Sequence, residues 1–144
     1  MRINFMLIDD NEIDLFVCQR MIELELGNQD IAKYDNAQSA LDDLLSLTFS
    51  KGNSKAEMPH IIILDINMPG LNGFGFLDGL SELKKSNRLP VKTIVLSSTT
   101  KLEYIMNAEK HEACDGFIGK PLTASKIRQI VEAFKPEPDN VDLG

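Results

Sequence analysis

The chain has 144 residues, 43% of them hydrophobic and 26% charged, with a formal net charge of −7. That balance suits one soluble globular domain able to bury roughly 68–70% of its unfolded surface. It excludes a basic nucleic-acid or anionic-membrane surface, since both need clustered Lys and Arg. No apolar run approaches the ~20 residues of a membrane span, and no signal-peptide core opens the chain. Cys18 and Cys114 are too few and too far apart for a disulfide framework or a metal motif, which favours a reduced, cytoplasmic setting.

Residues Arg2 to Ile8 carry a nearly continuous apolar run and predict a first strand, ending in Asp9-Asp10. Asn11 suits the cap of a helix whose first turn holds Glu12 and Asp14, acids matched to the positive end of its dipole. Ile13, Phe16, Val17, Met21 and Leu24 recur at three- and four-residue spacing and form its expected buried face, and Gly27 closes it. A weaker strand, Ile31 to Tyr34, leads to a helix capped by Asn36 with the stripe Ala37, Ala40, Leu41, Leu44 and Leu45. Ser50 to Pro59 is polar and reads as an exposed loop. Ile61-Ile62-Ile63-Leu64 is apolar at every position, the mark of a strand buried on both faces of a parallel sheet. It delivers Asp65 at its carboxyl end, and Pro69-Gly70 turns the chain.

Asn72 caps a third predicted helix bearing Phe76, Leu77, Leu80 and Leu83. Val91 to Leu96 is the fourth strand and leads into Ser97; Thr100 with Glu103 fits a capping box for a helix running to about Glu112. Gly116 to Gly119 is a short fifth strand ending in Lys120-Pro121. Thr123 caps a last helix with Ile127, Ile130, Val131 and Phe134 inward. The domain is expected over 1–135, with a flexible tail over 136–144.

Five repeats of strand then helix predict an α/β fold with a parallel sheet, right-handed crossovers and helices on both faces. Open sheets of this kind place their chemistry at the carboxyl ends of the strands. Those ends deliver Asp9 and Asp10, then Asp65, then Ser97, then Lys120. Each residue alone has an ordinary explanation: a cap, a loop hydroxyl, a solvated lysine. Together, in this order, they point to a site. Two carboxylates ~4 Å apart repel by about 4 kcal/mol at an effective dielectric of 20, so three in one crevice call for a cation. Carboxylates and carbonyls without His or Cys suit a hard ion such as Mg²⁺, while Lys120 and Ser97 could hold phosphoryl oxygens.

With these residues in place, the chain resembles a response-regulator receiver domain, the phosphoacceptor module of two-component signalling, over nearly all of Arg2 to Phe134. Asp9-Asp10, Asp65, Ser97 and Lys120-Pro121 match the family's acidic pair, phosphoacceptor, switch hydroxyl and lysine, and Asp65-Ile66-Asn67-Met68-Pro69-Gly70 matches its D-x-x-M-P-G segment. The resemblance implies a flavodoxin-like (βα)5 three-layer sandwich with strand order 2-1-3-4-5. It implies that Asp65 is a nucleophile taking a phosphoryl group from a histidine kinase or histidine phosphotransfer protein. Asp10 would bind Mg²⁺ directly and Asp9 largely through water, with Asp65 and the backbone carbonyl of Asn67 completing the protein ligands. Lys120 would neutralise phosphoryl charge, Ser97 would bond the group after transfer, and Phe117 falls at the switch aromatic. The Lys120-Pro121 bond is expected to be cis, and Asn67 and Thr99 occupy the positions that tune phosphoryl lifetime.

On that resemblance the chain is a signalling switch that catalyses only its own phosphorylation and dephosphorylation, a free-standing monomer or weak dimer acting on a downstream protein. Tyr104, Met106 and Lys126 are candidates for its partner face. Ala113 departs from the glycine usual at its position, as do Gly75 and Ser98 from their usual residues. The rival from another class is a haloacid-dehalogenase-type phosphohydrolase. Such an enzyme wants a second Asp as general acid two residues after the nucleophile, where this chain has Asn67.

Overall fold

A computed structural model describes residues 2–49, 58–68, 70, 72–87 and 89–134; positions 50–57 of the expected loop, Pro69 and the expected tail 136–144 lie outside the described residues. The elements alternate in the order β1 (Asn4–Ile8), α1 (Glu12–Leu26), β2 (Asp30–Tyr34), α2 (Ala37–Phe49), β3 (Ile61–Leu64), α3 (Gly73–Asn87), β4 (Lys92–Ser97), α4 (Leu102–Lys110), β5 (Gly116–Gly119) and α5 (Ala124–Phe134). All five strands run parallel in the order β2-β1-β3-β4-β5, the flavodoxin-like arrangement. No described helix is long and apolar enough to cross a membrane.

Alternation along the strands sends side chains to two separate cores. Met6, Ile8, Ile62, Leu64 and Val95 meet Ala40 and Leu44 of α2, Phe76, Leu77 and Leu80 of α3 and Ala108 of α4. Phe5, Leu7, Ile61, Ile63, Ile94 and Leu96 meet Leu15, Cys18 and Ile22 of α1 and Ile127 and Ile130 of α5. β3 lies at the centre and is buried at every position, so its apolar run has both faces to satisfy.

Most end signals act as the sequence predicts. The Asn11 side chain accepts from the Ile13 and Asp14 amides, Gly27 takes a φ of 79° at the end of α1, and Asn36 and Asn72 accept from Ser39 and Gly75. Thr123 accepts from the Lys126 amide at 3.3 Å. Gly73 starts α3 directly against the segment after β3: its amide bonds the Ile66 carbonyl at 3.2 Å, and a Cβ there would collide with the Ile66 backbone. The loop leaving Asp65 is thereby held to the start of a helix.

Three expectations need correction. The buried face of α1 is Leu15, Cys18 and Ile22, while Ile13 (73% exposed), Phe16, Val17 and Leu24 (70%) face solvent. The helix carries more apolar residues than one face can bury, and packing against β1 and α5 selects a face turned from the expected one. Leu45 of α2 is likewise exposed. The third correction concerns α4, which lacks the capping box: its N-cap is Lys101, without a side-chain cap bond, and the helix ends at Lys110. The Thr99 hydroxyl accepts from the Lys101 amide at 3.2 Å, and the N-cap falls one residue beyond Thr100, with the helix starting at Leu102.

Candidate functional site

Register alone brings the first acids together. Ile8 pairs with Leu64, and one step further the Asp65 amide donates to the Ile8 carbonyl at 2.9 Å. Asp9 and Asp65 therefore leave neighbouring strands side by side, about one strand spacing apart. Asp9, Asp10 and Asp65 each present a carboxylate oxygen within 4.8 Å of the others. Asp9 and Asp65 are buried and Asp10 is exposed, so the cluster opens to solvent on one side.

The two buried acids are used alike. Asp9 Oδ1 accepts from the Asn11 amide at 2.9 Å, and Asp65 Oδ1 from the Asn67 amide at 3.2 Å, each closing an Asx-type turn two residues on. Their second oxygens face Lys120, whose Nζ lies 2.8 Å from Asp9 Oδ2 and 3.7 Å from Asp65 Oδ2. The shortest contact of that ammonium is with Asp14 Oδ2, at 2.7 Å. Lys120 arrives from the far side of the sheet because its amide bonds the Ser97 carbonyl at 2.9 Å, continuing the β4–β5 ladder, and its bond to Pro121 is cis.

The charge balance shows in the ionisation of these groups. Burial pushes the Asp65 carboxyl up to about 6; the Asn67 amide and Lys120 pull it down, and Asp9 and Asp10 push it further up. Burial works against the Lys120 ammonium, but its bonds to Asp14 and Asp9 and the charge of Asp65 more than offset this and raise it. Below the crevice Cys18 is buried, with its thiol pushed up to about 12 by desolvation and by Asp9, so it stays protonated and inert.

The remaining predicted residues sit along the same edge. Ser97 is fully buried, and its Oγ accepts from the Thr99 amide at 3.2 Å. Strand alternation gives it the same sheet face as Val95, opposite which Phe117 stands, half-buried against the α2–α3–α4 core. Asn67 is exposed and Thr99 half-buried. Tyr104 and Met106 are exposed on α4; Tyr104 stacks on Phe74 of α3 at 6.4 Å, with Lys101 Nζ 5.6 Å over its ring. Lys126 Nζ bonds the carbonyls of Gly119 and Pro121, which ties it to the loop carrying Lys120.

Asp14 is the residue sequence reasoning missed, being read only as a helix-dipole acid. A signal was available: Asp14, Cys18 and Ile22 are spaced by four residues, so Asp14 tops the inward face of α1 and returns to the crevice.

The donor set fits a hard divalent cation. It is all oxygen, its Asp9 and Asp10 raise the proton affinity of the Asp65 carboxylate between them, and its open side at Asp10 leaves room for water ligands.

Comparison with known proteins agrees with this geometry. Residues 5–132 match the family model described as the response regulator receiver domain. A crystal structure of a two-component response regulator from Cytophaga hutchinsonii superposes with a TM-score of 0.80 at 26% identity, covering 95% of this chain and 100% of that one. Among curated proteins, the two-component response regulator ARR7 of Arabidopsis thaliana is 28% identical over 125 residues, covering 85% of this chain and 58% of its own length. A hybrid signal transduction histidine kinase of Dictyostelium discoideum is 26% identical over 129 residues, 90% of this chain and 7% of that protein. The chain thus spans 58% and 7% of these two curated relatives.

Proposed function

The chain belongs to the response-regulator receiver family, and from that membership we propose that it is a phosphorelay switch whose Asp65 accepts a phosphoryl group from a phosphohistidine partner. The observation that carries the proposal is the meeting of Asp65 with Asp9, Asp10 and the Lys120 ammonium at the carboxyl edge of the central strands.

In the transfer, an Asp65 carboxylate oxygen forms the new O–P bond while the P–N bond of the phosphohistidine breaks. The electron pair goes to the imidazole nitrogen, leaving a neutral imidazole once that nitrogen has the proton it needs from solvent. Asp9, Asp10, Asp65 and the Asn67 carbonyl would hold Mg²⁺, which when bound supplies positive charge to the phosphoryl oxygens. Lys120 supplies the protein's own positive charge, 3.7 Å from the nucleophile in the resting chain. At rest the Ser97 hydroxyl accepts the Thr99 amide and donates to no group among the described residues, so it can donate to a phosphoryl oxygen on Asp65. Moving that hydroxyl loosens the Thr99 turn and the uncapped start of α4 behind it. Phe117, half-buried on the same face, follows the hydroxyl, and the surface bearing Tyr104 and Met106 changes its affinity for a downstream protein.

The test is direct. Incubated with Mg²⁺ and acetyl phosphate, the chain gains the mass of one phosphoryl group, and Asp65→Asn gains none. Equal labelling of the Asn variant would remove Asp65 from the role.

A further inference from the structure

The closest partner of the Lys120 ammonium is not an acid of the cation cluster but Asp14 on α1, at 2.7 Å against 2.8 Å for Asp9 and 3.7 Å for Asp65. A lysine ammonium has three N–H donors. Two are directed to Asp9 and Asp14, and Asp65 lies at ion-pair distance beyond hydrogen-bond length. Asp14 is also placed differently from Asp9: its side chain is 38% exposed against 7%, so it stands at the rim and can exchange the ammonium for water.

We propose that Asp14 is a positioning residue that holds Lys120 on the α1 side of the crevice and competes with the incoming phosphoryl group for its ammonium. The proposal rests on Asp65 being the phosphoacceptor. To bond a phosphoryl oxygen on Asp65, Lys120 has to close the 3.7 Å gap, and the contact on the rim is the one it gives up. Asp9, buried and fixed by its turn with Asn11, keeps its bond and serves as the pivot. Asp14 therefore sets the resting reactivity of Asp65 without touching the reacting atoms.

The experiment measures the labelling rate of the 144-residue chain against acetyl phosphate concentration at saturating Mg²⁺. Asp14→Asn keeps the shape and removes the charge; Asp14→Glu returns the charge on a longer arm. Glu12→Gln removes a charge from the same helical turn, where Glu12 has no bond to Lys120, and so controls for the general field. Asp14→Asn is expected to raise kcat/KM for the donor by about threefold to fivefold, the upper end of the scale for a partly exposed ion pair. Asp14→Glu should return it to within twofold of the unsubstituted chain, and Glu12→Gln should leave it there. An unchanged or slower Asp14→Asn overturns the proposal, as does an equal gain from Glu12→Gln. Absence of label on the unsubstituted chain ends the phosphoacceptor reading as well, whereas a labelled chain indifferent to Asp14→Asn ends this one alone.

Discussion

On the α1 side of the carboxyl edge, one ammonium is clamped between two carboxylates, and each buried acid spends its other oxygen closing a turn. On the α4 side, the Ser97 hydroxyl accepts one amide at 3.2 Å, Thr99 accepts the next at 3.2 Å, and α4 starts without a side-chain cap. The sheet itself is common to both sides, so the difference lies in how loop groups are paired. Charge-assisted bonds in a half-closed crevice hold position; single neutral hydroxyl bonds contribute about 1 kcal/mol each and exchange readily. A switch needs both kinds of region: one that fixes the reacting atoms and one that yields when charge appears beside it.

The harshest way to break this comparison is to unclamp the acid side. Lys120→Met leaves Asp9 and Asp65 buried without their cation, and breaking such a pair costs about 3–5 kcal/mol. Urea denaturation should show a loss of that order in chelator, with millimolar Mg²⁺ restoring part of it. A cost below about 1 kcal/mol would mean the clamp is no firmer than the α4 side.

Asp65 gives the next largest effect, and its sign follows from proton linkage. Its folded pKa, about 6, lies above the ordinary 3.8, so the folded chain binds the proton more tightly. That stabilisation is complete below about pH 4 and is lost as pH rises through 6, leaving an ionised Asp65 that costs roughly 2–3 kcal/mol in the absence of metal. Asp65→Asn should therefore exceed the unsubstituted chain in stability by about that amount at pH 8. The advantage should shrink below pH 6 and vanish near pH 4, as read by chemical denaturation in chelator. A pH-independent difference would show that Asp65 is not held in this charged environment.

The same contrast explains what the sequence made legible. Strands and their carboxyl ends could be read because β1 and β3 are apolar at nearly every position and β4 carries the run Ile94-Val95-Leu96, a pattern suited to doubly covered parallel strands. Asp9, Asp10, Asp65, Ser97 and Lys120 then follow from where each run stops. Asp14 shares the four-residue spacing of Cys18 and Ile22, but its partner stands 106 positions away, and only the folded register shows that this face of α1 meets the crevice. The α1 face failed for a different reason. Both Ile13-Phe16-Val17-Leu24 and Leu15-Cys18-Ile22 satisfy helical spacing, and only the sheet beneath decides between them. The α4 cap failed because the competing hydroxyl, Thr99, sits one residue before the one that matched the capping pattern.

That uncapped helix allows the gentlest and most discriminating change. Lys101 has the extended backbone of an N-cap, φ −74° and ψ 115°, but places a positive charge at the positive end of α4. Lys101→Ser supplies an acceptor for the first-turn amides, a gain of about 1 kcal/mol, and gives up the contact with the Tyr104 ring, about 0.5 kcal/mol at an exposed site. The net expectation is a stabilisation of about 0.5 kcal/mol, read as slower hydrogen exchange at Ile105, whose amide bonds the Lys101 carbonyl at 3.2 Å. Because the reacting atoms are fixed from the α1 side, the rate of Asp65 labelling should change by less than twofold. If stiffening α4 instead slows labelling several-fold, the yielding region takes part in the transfer itself, and the division of the edge into a fixed half and a responsive half fails.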